Sequence, residues 1–297
     1  MRDIARFAAY HLDLGAAEVH IFLDEPSDAV DAFFEAYPKV YITQCNAAYW
    51  RGVPDAKRST HQRRQAYNAS RCYRECALDW LAHIDVDEFL LSSRPLVHAL
   101  GAVPQNVTHA RMRPAELLAQ SDAFRGPAHF KLPRPDWDDG KAALVDIYPE
   151  FGAYLTEGFL GYVGGKIVAR TGVSDLHFGI HALKQGGQVL GGGLDLADVH
   201  VGHAHAPSFE AFERHLEFRM TKGSYRRKPN DSMKVEDIVK VIRDTEGRAG
   251  LRRFYDQINL ATPHLLDRLA AHDMLLTATL DLDEKVTRWF GPMPEDA

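Results

Sequence analysis

Cysteine is scarce in this 297-residue chain: only Cys45, Cys72 and Cys76 occur. An odd, low number excludes a disulfide framework. Cys72 and Cys76 stand four apart, on one helical face, not at the two-residue gap of a zinc knuckle. This composition fits a reducing cytoplasm, and the chain reads as cytoplasmic. Long apolar runs are missing too. None approaches the ~18 residues of a membrane span, and "MRDIARFAAYHLDLG" has no apolar stretch of the kind a secretion signal carries. Positive charge is not in excess. Lys and Arg number 35 against 41 Asp and Glu, a net charge of −6, which excludes the broad basic face of a nucleic-acid binder. Basic residues gather only locally, in "KRSTHQRRQ" and "YRRKP".

What is present is material for a core: 45% of residues are hydrophobic. Residues 4–14 have helical spacing stopped by Gly15, and "EVHIFLDEPSD" reads as a buried strand ending in acids. "AVDAFFEAYP" is helical, "KVYITQC" a strand and "HQRRQAYNASRCYRECALDW" a strong helix; "WLAHIDVDEFLL" completes the series as a third strand. Helix and strand therefore alternate through residue 91. That alternation predicts an α/β fold with a parallel sheet, whose ligands bind at the carboxyl ends of the strands. "KLPRPDWDDGKAAL" reads as a charged loop. The glycine-punctuated stretch from Gly158 to Gly193 predicts short antiparallel strands that extend the sheet. From Phe209 the pattern is helical.

"WLAHIDVDEFLLSS" concentrates the chemistry. Asp85, Asp87 and Glu88 sit among apolar neighbours, where carboxylates need partners or a cation. In an extended segment Asp85 and Asp87 share one face and could grip a hard cation. His83 falls on the same face, and Glu88 on the other reads as structural.

"HIDVDEFL" resembles the Asp-x-Asp segment of GT-A type glycosyltransferases. "ARFAAYHLDLGAAEVHIFLDEPSD" is similar to the opening of a bacterial family-two-like group of them, and "QRRQAYNAS" to the basic helix that precedes its Asp-x-Asp strand. "GGKIVART" and "HAHAPSFEAFERHLEFRMTKG" match looser, later landmarks, the last ending its helix in Lys-Gly. The resemblance implies a GT-A-like domain over residues 1–215, with a mixed sheet flanked by helices, and a helical extension over 216–297. It also implies a first strand ahead of the opening helix; the sequence begins inside that helix, so the strand is absent, replaced by another segment, or ahead of residue 1. The implied activity is sugar transfer from a nucleotide-diphospho-sugar to a saccharide or glycan acceptor, with Mn²⁺ or Mg²⁺ as cofactor, in glycan or polysaccharide synthesis. By position, Asp85 and Asp87 would hold the metal, and Asp85 and Asp24 would face the nucleotide. His203 would complete the metal sphere, with His205 and His200 as alternatives.

Other roles follow from neighbourhood. Lys166, after Gly164-Gly165, and Arg64, on the helix before the Asp-x-Asp segment, are candidates for diphosphate contact. The segment around Lys166 is not a P-loop, since Leu160 and Ile167 stand where Gly and Ser/Thr are required. Glu157 is the candidate base for an acceptor hydroxyl, ahead of Glu150 and Asp175. The C-terminal helices offer a surface for self-association. The same Asp and His inventory would also serve a divalent-metal phosphohydrolase, or a nucleotide-sugar-binding protein without turnover.

Overall fold

A computed structural model of the chain describes residues 1–120, 123–133, 137–221 and 235–293. The run "YRRKP" (225–229) and the expected Lys-Gly helix end (222–223) lie outside the described residues. In chain order the elements are α1 (Arg2–Asp13), β1 (Val19–Leu23), α2 (Asp28–Phe34), β2 (Val40–Gln44), α3 (His61–Glu75), β3 (Trp80–Ala82), β4 (Glu88–Ser92), α4 (Leu96–Gly101), β5 (His109–Leu117), β6 (Pro127–Lys131) and α5 (Trp137–Ile147). They continue with β7 (Lys166–Arg170), β8 (Leu176–Phe178), β9 (Leu183–Gln185), β10 (Gln188–Val189), β11 (Leu194–His203), α6 (Phe209–Thr221), α7 (Val235–Asn259), α8 (Pro263–Ala271), β12 (Leu275–Thr279) and α9 (Leu282–Phe290). The chain is mixed α/β, as its alternation predicts.

Two compact units are formed. The first comprises Met1–Arg113, Gly164–Val201 and Leu282–Ala297; the second comprises Pro114–Val163 and Gly202–Asp281. Compactness therefore does not change at the expected boundary of residue 215. Helix α9 belongs with the first unit, and α5 with the second. Contacts distant in sequence decide this membership, and a reading that follows composition along the chain does not register them.

In the first unit, helix starts are set by side-chain caps. Ser27 Oγ accepts the Val30 N–H ahead of α2, and Thr60 Oγ1 accepts the Arg63 N–H ahead of α3. Helix α2 joins β1 to β2, which run parallel with Val19 opposite Val40 and Leu23 opposite Gln44. The third strand departs from expectation. Residues 80–91 split into β3 and β4, and β3 pairs antiparallel with β7, Trp80 opposite Arg170, and not with β1. Strand β7 pairs in turn with β5, Met112 opposite Lys166. The glycine-rich middle thus supplies antiparallel strands as predicted, while β8, β9 and β10 make a small sheet of their own. Val30, Phe34, Val286 and Phe290 bury one core between α1, α2, the β1–β2 pair and α9. Ion pairs Arg6–Asp283 and Arg288–Asp13 fasten α9 to α1.

His11 is buried where α1 meets β4. Its Nδ1–H donates to the Phe7 carbonyl at 2.8 Å, and its Nε2 accepts the Leu90 N–H at 3.3 Å. Only a neutral ring protonated on Nδ1 makes both bonds. Burial holds its pKa down at about 4, against an ordinary 6.5.

In the second unit, the end of β5 pairs with β6, Glu116 opposite Lys131, and β6 pairs with β12 over five residues. Tyr148, Phe212, Phe254 and Tyr255 fill the core between its helices. The segment read as the loop "KLPRPDWDDGKAAL" becomes helix α5 from Trp137 onward; residues 134–136 lie outside the described residues. Leu144 and Ile147 supply the reason, since both bury on one helical face. Among the described residues no helix is long and apolar enough to cross a membrane.

The His11 geometry sets a pH dependence. Between pH 6.5 and 4 the unfolded chain binds this proton and the folded chain does not, so stability falls as pH falls through that window. In His11→Gln, chemical denaturation at stepped pH should show a slope shallower by about 1.4 kcal/mol per pH unit over the same window.

Candidate functional site

Strand β1 ends at Leu23 and hands over to Asp24; β3 ends at Ala82, three residues before Asp85. Helix α3 reaches both ends. Arg64 forks onto Asp24, with Nε to Oδ1 at 2.6 Å and Nη2 to Oδ2 at 2.5 Å. The next residue, Gln65, donates from Nε2 to Asp85 Oδ1 at 2.7 Å. The other oxygen of Asp85 accepts from Lys166 Nζ at 2.8 Å, and the same ammonium lies 3.3 Å from Glu88 Oε2. Asp24, Arg64, Asp85 and Lys166, the four residues expected at a nucleotide-sugar, therefore fall in one continuous row. Gln65 and Glu88 are its other members.

The row is electrostatically graded. Lys166 is 1% exposed and Glu88 5%, whereas the Asp24 side chain is 52% exposed. Burial works against the charge of Lys166, but Glu88 and Asp85 outweigh it and lift its pKa above the ordinary lysine value. His83 is pushed the other way, down to about 4, by burial first and then by the Lys166 charge. Its ring faces Phe178 edge-on, and its Nδ1 lacks a hydrogen-bond partner among the described residues.

The segment around Asp85 differs from the extended strand that the alternation predicts. Glu88 N–H donates to the Asp85 carbonyl at 3.0 Å, and Asp85 N–H donates to Glu88 Oε2 at 2.7 Å. Val86 and Asp87 form the exposed turn that these bonds close, and β4 starts at Glu88. Period two does not hold across a turn, so Asp85 and Asp87 do not share a strand face. Glu88 is structural, as expected, but through its side chain: it caps the turn and shares Lys166. The apolar flanks now have a reason. Phe89, Leu90 and Leu91 are all buried in β4.

The remaining predicted residues lie in the second unit. His203 ends β11, and its ring packs against that of His205 with centroids 5.0 Å apart. Tyr255 Oη and Asn259 Nδ2 each donate to the Ala206 carbonyl at 2.8 Å and pin the segment that follows. A methyl group on Gly161 would meet Glu116 Oε2 at 2.9 Å, with His205 Cγ at 3.4 Å and His203 Nδ1 at 3.5 Å, so Glu116 and both histidines surround this residue. Glu116 was not singled out by sequence. It is buried, pairs with buried Lys131 at 2.7 Å and accepts the Leu160 N–H at 3.0 Å. Lys131 also donates to the Gly158 and Ile258 carbonyls, each at 3.1 Å. Glu157 sits in the adjoining turn at φ 53°. His200 lies in the first-unit part of β11, its pKa lowered by burial and then by Arg113.

Among the described residues, no three His, Cys, Asp or Glu side chains are grouped so as to hold a metal ion. Asp85, half-buried in the row, and Asp87, exposed in the adjoining turn, nonetheless offer hard oxygen donors. Carboxylate oxygens are the ligand type that Mg²⁺ and Mn²⁺ take, so the donor chemistry fits either cation with further oxygens from a ligand. Asp24, Arg64, Gln65 and Asp85 line one end of a cavity of about 870 Å³, within the size range of small-molecule sites. Comparison with protein-family models, curated proteins and solved structures finds no match for this chain.

The row predicts the effect of removing its cation. Lys166→Met leaves Asp85 and Glu88 facing one another beside a buried β4. Denaturant unfolding should give a stability lower by about 3–5 kcal/mol. Adding Glu88→Gln to that variant should recover part of the loss.

Proposed function

We propose that this chain is a glycosyltransferase of GT-A type, transferring a sugar from a nucleotide-diphospho-sugar to a saccharide or glycan acceptor. The observation that carries the reading is the bonded row Asp24–Arg64–Gln65–Asp85–Lys166 at the ends of β1 and β3, beside a cavity of about 870 Å³. Strand ends are where α/β proteins bind nucleotides.

In this reading Asp24, held by the Arg64 fork, accepts hydrogen bonds from the base or ribose. Arg64 turns toward the diphosphate those guanidinium N–H groups not engaged by Asp24 and the Arg58 carbonyl. Asp85 and Asp87 supply carboxylate oxygens to the divalent cation. When bound, the cation supplies neutralisation of the charge that develops on the leaving diphosphate. Lys166 fixes the Asp85 carboxylate through its buried ammonium; direct contact with a diphosphate would require it to leave Asp85 and Glu88.

Calorimetric titration of UDP-, GDP- and dTDP-sugars, with and without MnCl₂, tests this. One of them should bind, and more tightly with the cation. Asp87→Ala should lose the cation-dependent part at an unchanged melting temperature, and Arg64→Ala should weaken binding by about tenfold or more. Absence of nucleotide binding under every condition would sink the proposal.

A further inference from the structure

Charge is unevenly spread along the chain, and α3 carries much of the unevenness. Residues 51–76 hold seven Lys or Arg against two acids, Asp55 and Glu75, in a chain whose net charge is −6. The nucleotide row engages one of the seven, Arg64. Asp55 pairs with Arg58 at 2.6 Å, and Glu75 with Arg71 at 3.2 Å. Arg51, Lys57, Arg63 and Arg74 are exposed and have no acidic partner among the described residues. Cations gathered without counter-charge raise the local potential and attract an anion.

Helix geometry sets these cations on the side of α3 turned away from the cavity, which Arg64, Asn68, Ala69 and Cys72 line. At 3.6 residues per turn, Arg63 and Arg74 project in nearly the same direction, ~16 Å apart along the axis, with Tyr67 and Arg71 between them. The loop ahead of α3 folds onto the same side. Arg63 Nη1 donates to the Ala56 carbonyl and to Ser59 Oγ, each at 3.0 Å, which draws Lys57 alongside. The Trp50 ring lies 5.5 Å from that of Tyr67, and the Arg71 guanidinium lies 5.1 Å over the Tyr49 ring. Arg51 follows Trp50 directly. The result is a face of exposed cations set around the half-buried rings of Tyr49 and Tyr67.

Chemistry narrows the occupant. Six of the seven cations are arginines, whose planar fork matches carboxylate and phosphate groups. Arg58, Arg63 and Arg71 are already held by neighbours, so binding costs them little further side-chain freedom. The tyrosine rings add flat area that the C–H face of a sugar can cover. A membrane surface fits less well. Interfacial binding draws on buried apolar area, and none of the exposed large hydrophobic side chains falls between residues 46 and 78. The face starts at Arg63, next to the Arg64 that grips Asp24, so a ligand lying along it reaches the nucleotide row.

We infer that the outer face of α3, with the loop of residues 49–58, docks an anionic sugar chain, one that carries carboxylate or phosphate groups. That chain is the acceptor. The inference deepens the transferase reading and rests on it for the choice of a sugar.

The probes are a hexameric oligogalacturonate, a phosphomannan oligosaccharide, and the methyl ester of the first, which keeps its sugars and loses its charge. Each is titrated calorimetrically into the full chain without nucleotide. At least one anionic chain should bind, the methyl ester at least tenfold more weakly, and binding should fall as salt is raised. Arg63→Gln combined with Arg74→Gln should weaken it about tenfold at an unchanged melting temperature. Glu75→Gln removes an acid from the face and should strengthen it several-fold, which a damaged fold would not do. Failure of both anionic chains to bind, equal binding of the methyl ester, or wild-type affinity in the double variant would overturn the inference. So would tighter binding of a polyglutamate peptide, an oligonucleotide or phosphatidylserine vesicles, which assigns the face to another partner. The two readings fail separately. A wild type that binds a nucleotide-sugar but neither anionic chain removes this inference alone; one that binds an anionic chain but no nucleotide removes the transferase reading and leaves a saccharide-binding face.

Discussion

One buried ammonium organises the first unit. Lys166 opens β7, sits 2.8 Å from Asp85 and 3.3 Å from Glu88, and is almost wholly out of solvent. It reaches that place because Gly165 precedes it at φ 69°, and a Cβ there would lie 2.2 Å from the Met112 carbonyl. The two carboxylates belong to the turn between β3 and β4, so the ion pair fixes where one strand stops and the next starts. Such pairs add little net stability over an apolar filling, but removing one partner leaves a charge buried alone. Here the pair sets geometry: it orients Asp85, which orients Gln65 and keeps α3 in place for the Arg64–Asp24 fork.

The second unit repeats the device with different chemistry. Lys131 and Glu116 are cross-strand partners on β6 and β5, and they also bond backbone groups at 158, 160, 161 and 258. The polar groups of a buried pair are thereby satisfied by loops that would otherwise carry orphan donors and acceptors. Gly161 lets the histidine segment approach this pair.

Much of the site was legible because its signals are local. An acid at the end of an apolar run marked Asp24, a basic helical segment marked Arg64, and acids among apolar neighbours marked Asp85. The pairings were not legible. Nothing in "QRRQ" says that Gln65 holds Asp85. Period two failed at Val86–Asp87 because a side-chain bond from Glu88 to the Asp85 backbone closes a turn, an effect no hydropathy pattern carries. Glu116 and Lys131 were missed because each, read alone, is an ordinary charged residue in a strand. The α/β class emerged from alternation, but the partner of β3 depends on β7, more than eighty residues away.

Helix α9 has a consequence for how the chain is made. Its Val286 and Phe290 complete the core over α1, β1 and β2, yet they follow those elements by more than 240 residues. At about 5–20 residues per second, roughly 12–50 seconds of synthesis separate β2 from α9. Throughout that interval the core around Val30 and Phe34 lacks the side chains that α9 contributes. The first unit therefore completes its core only once α9 emerges, three residues behind the strand that completes the β6–β12 pair of the second unit.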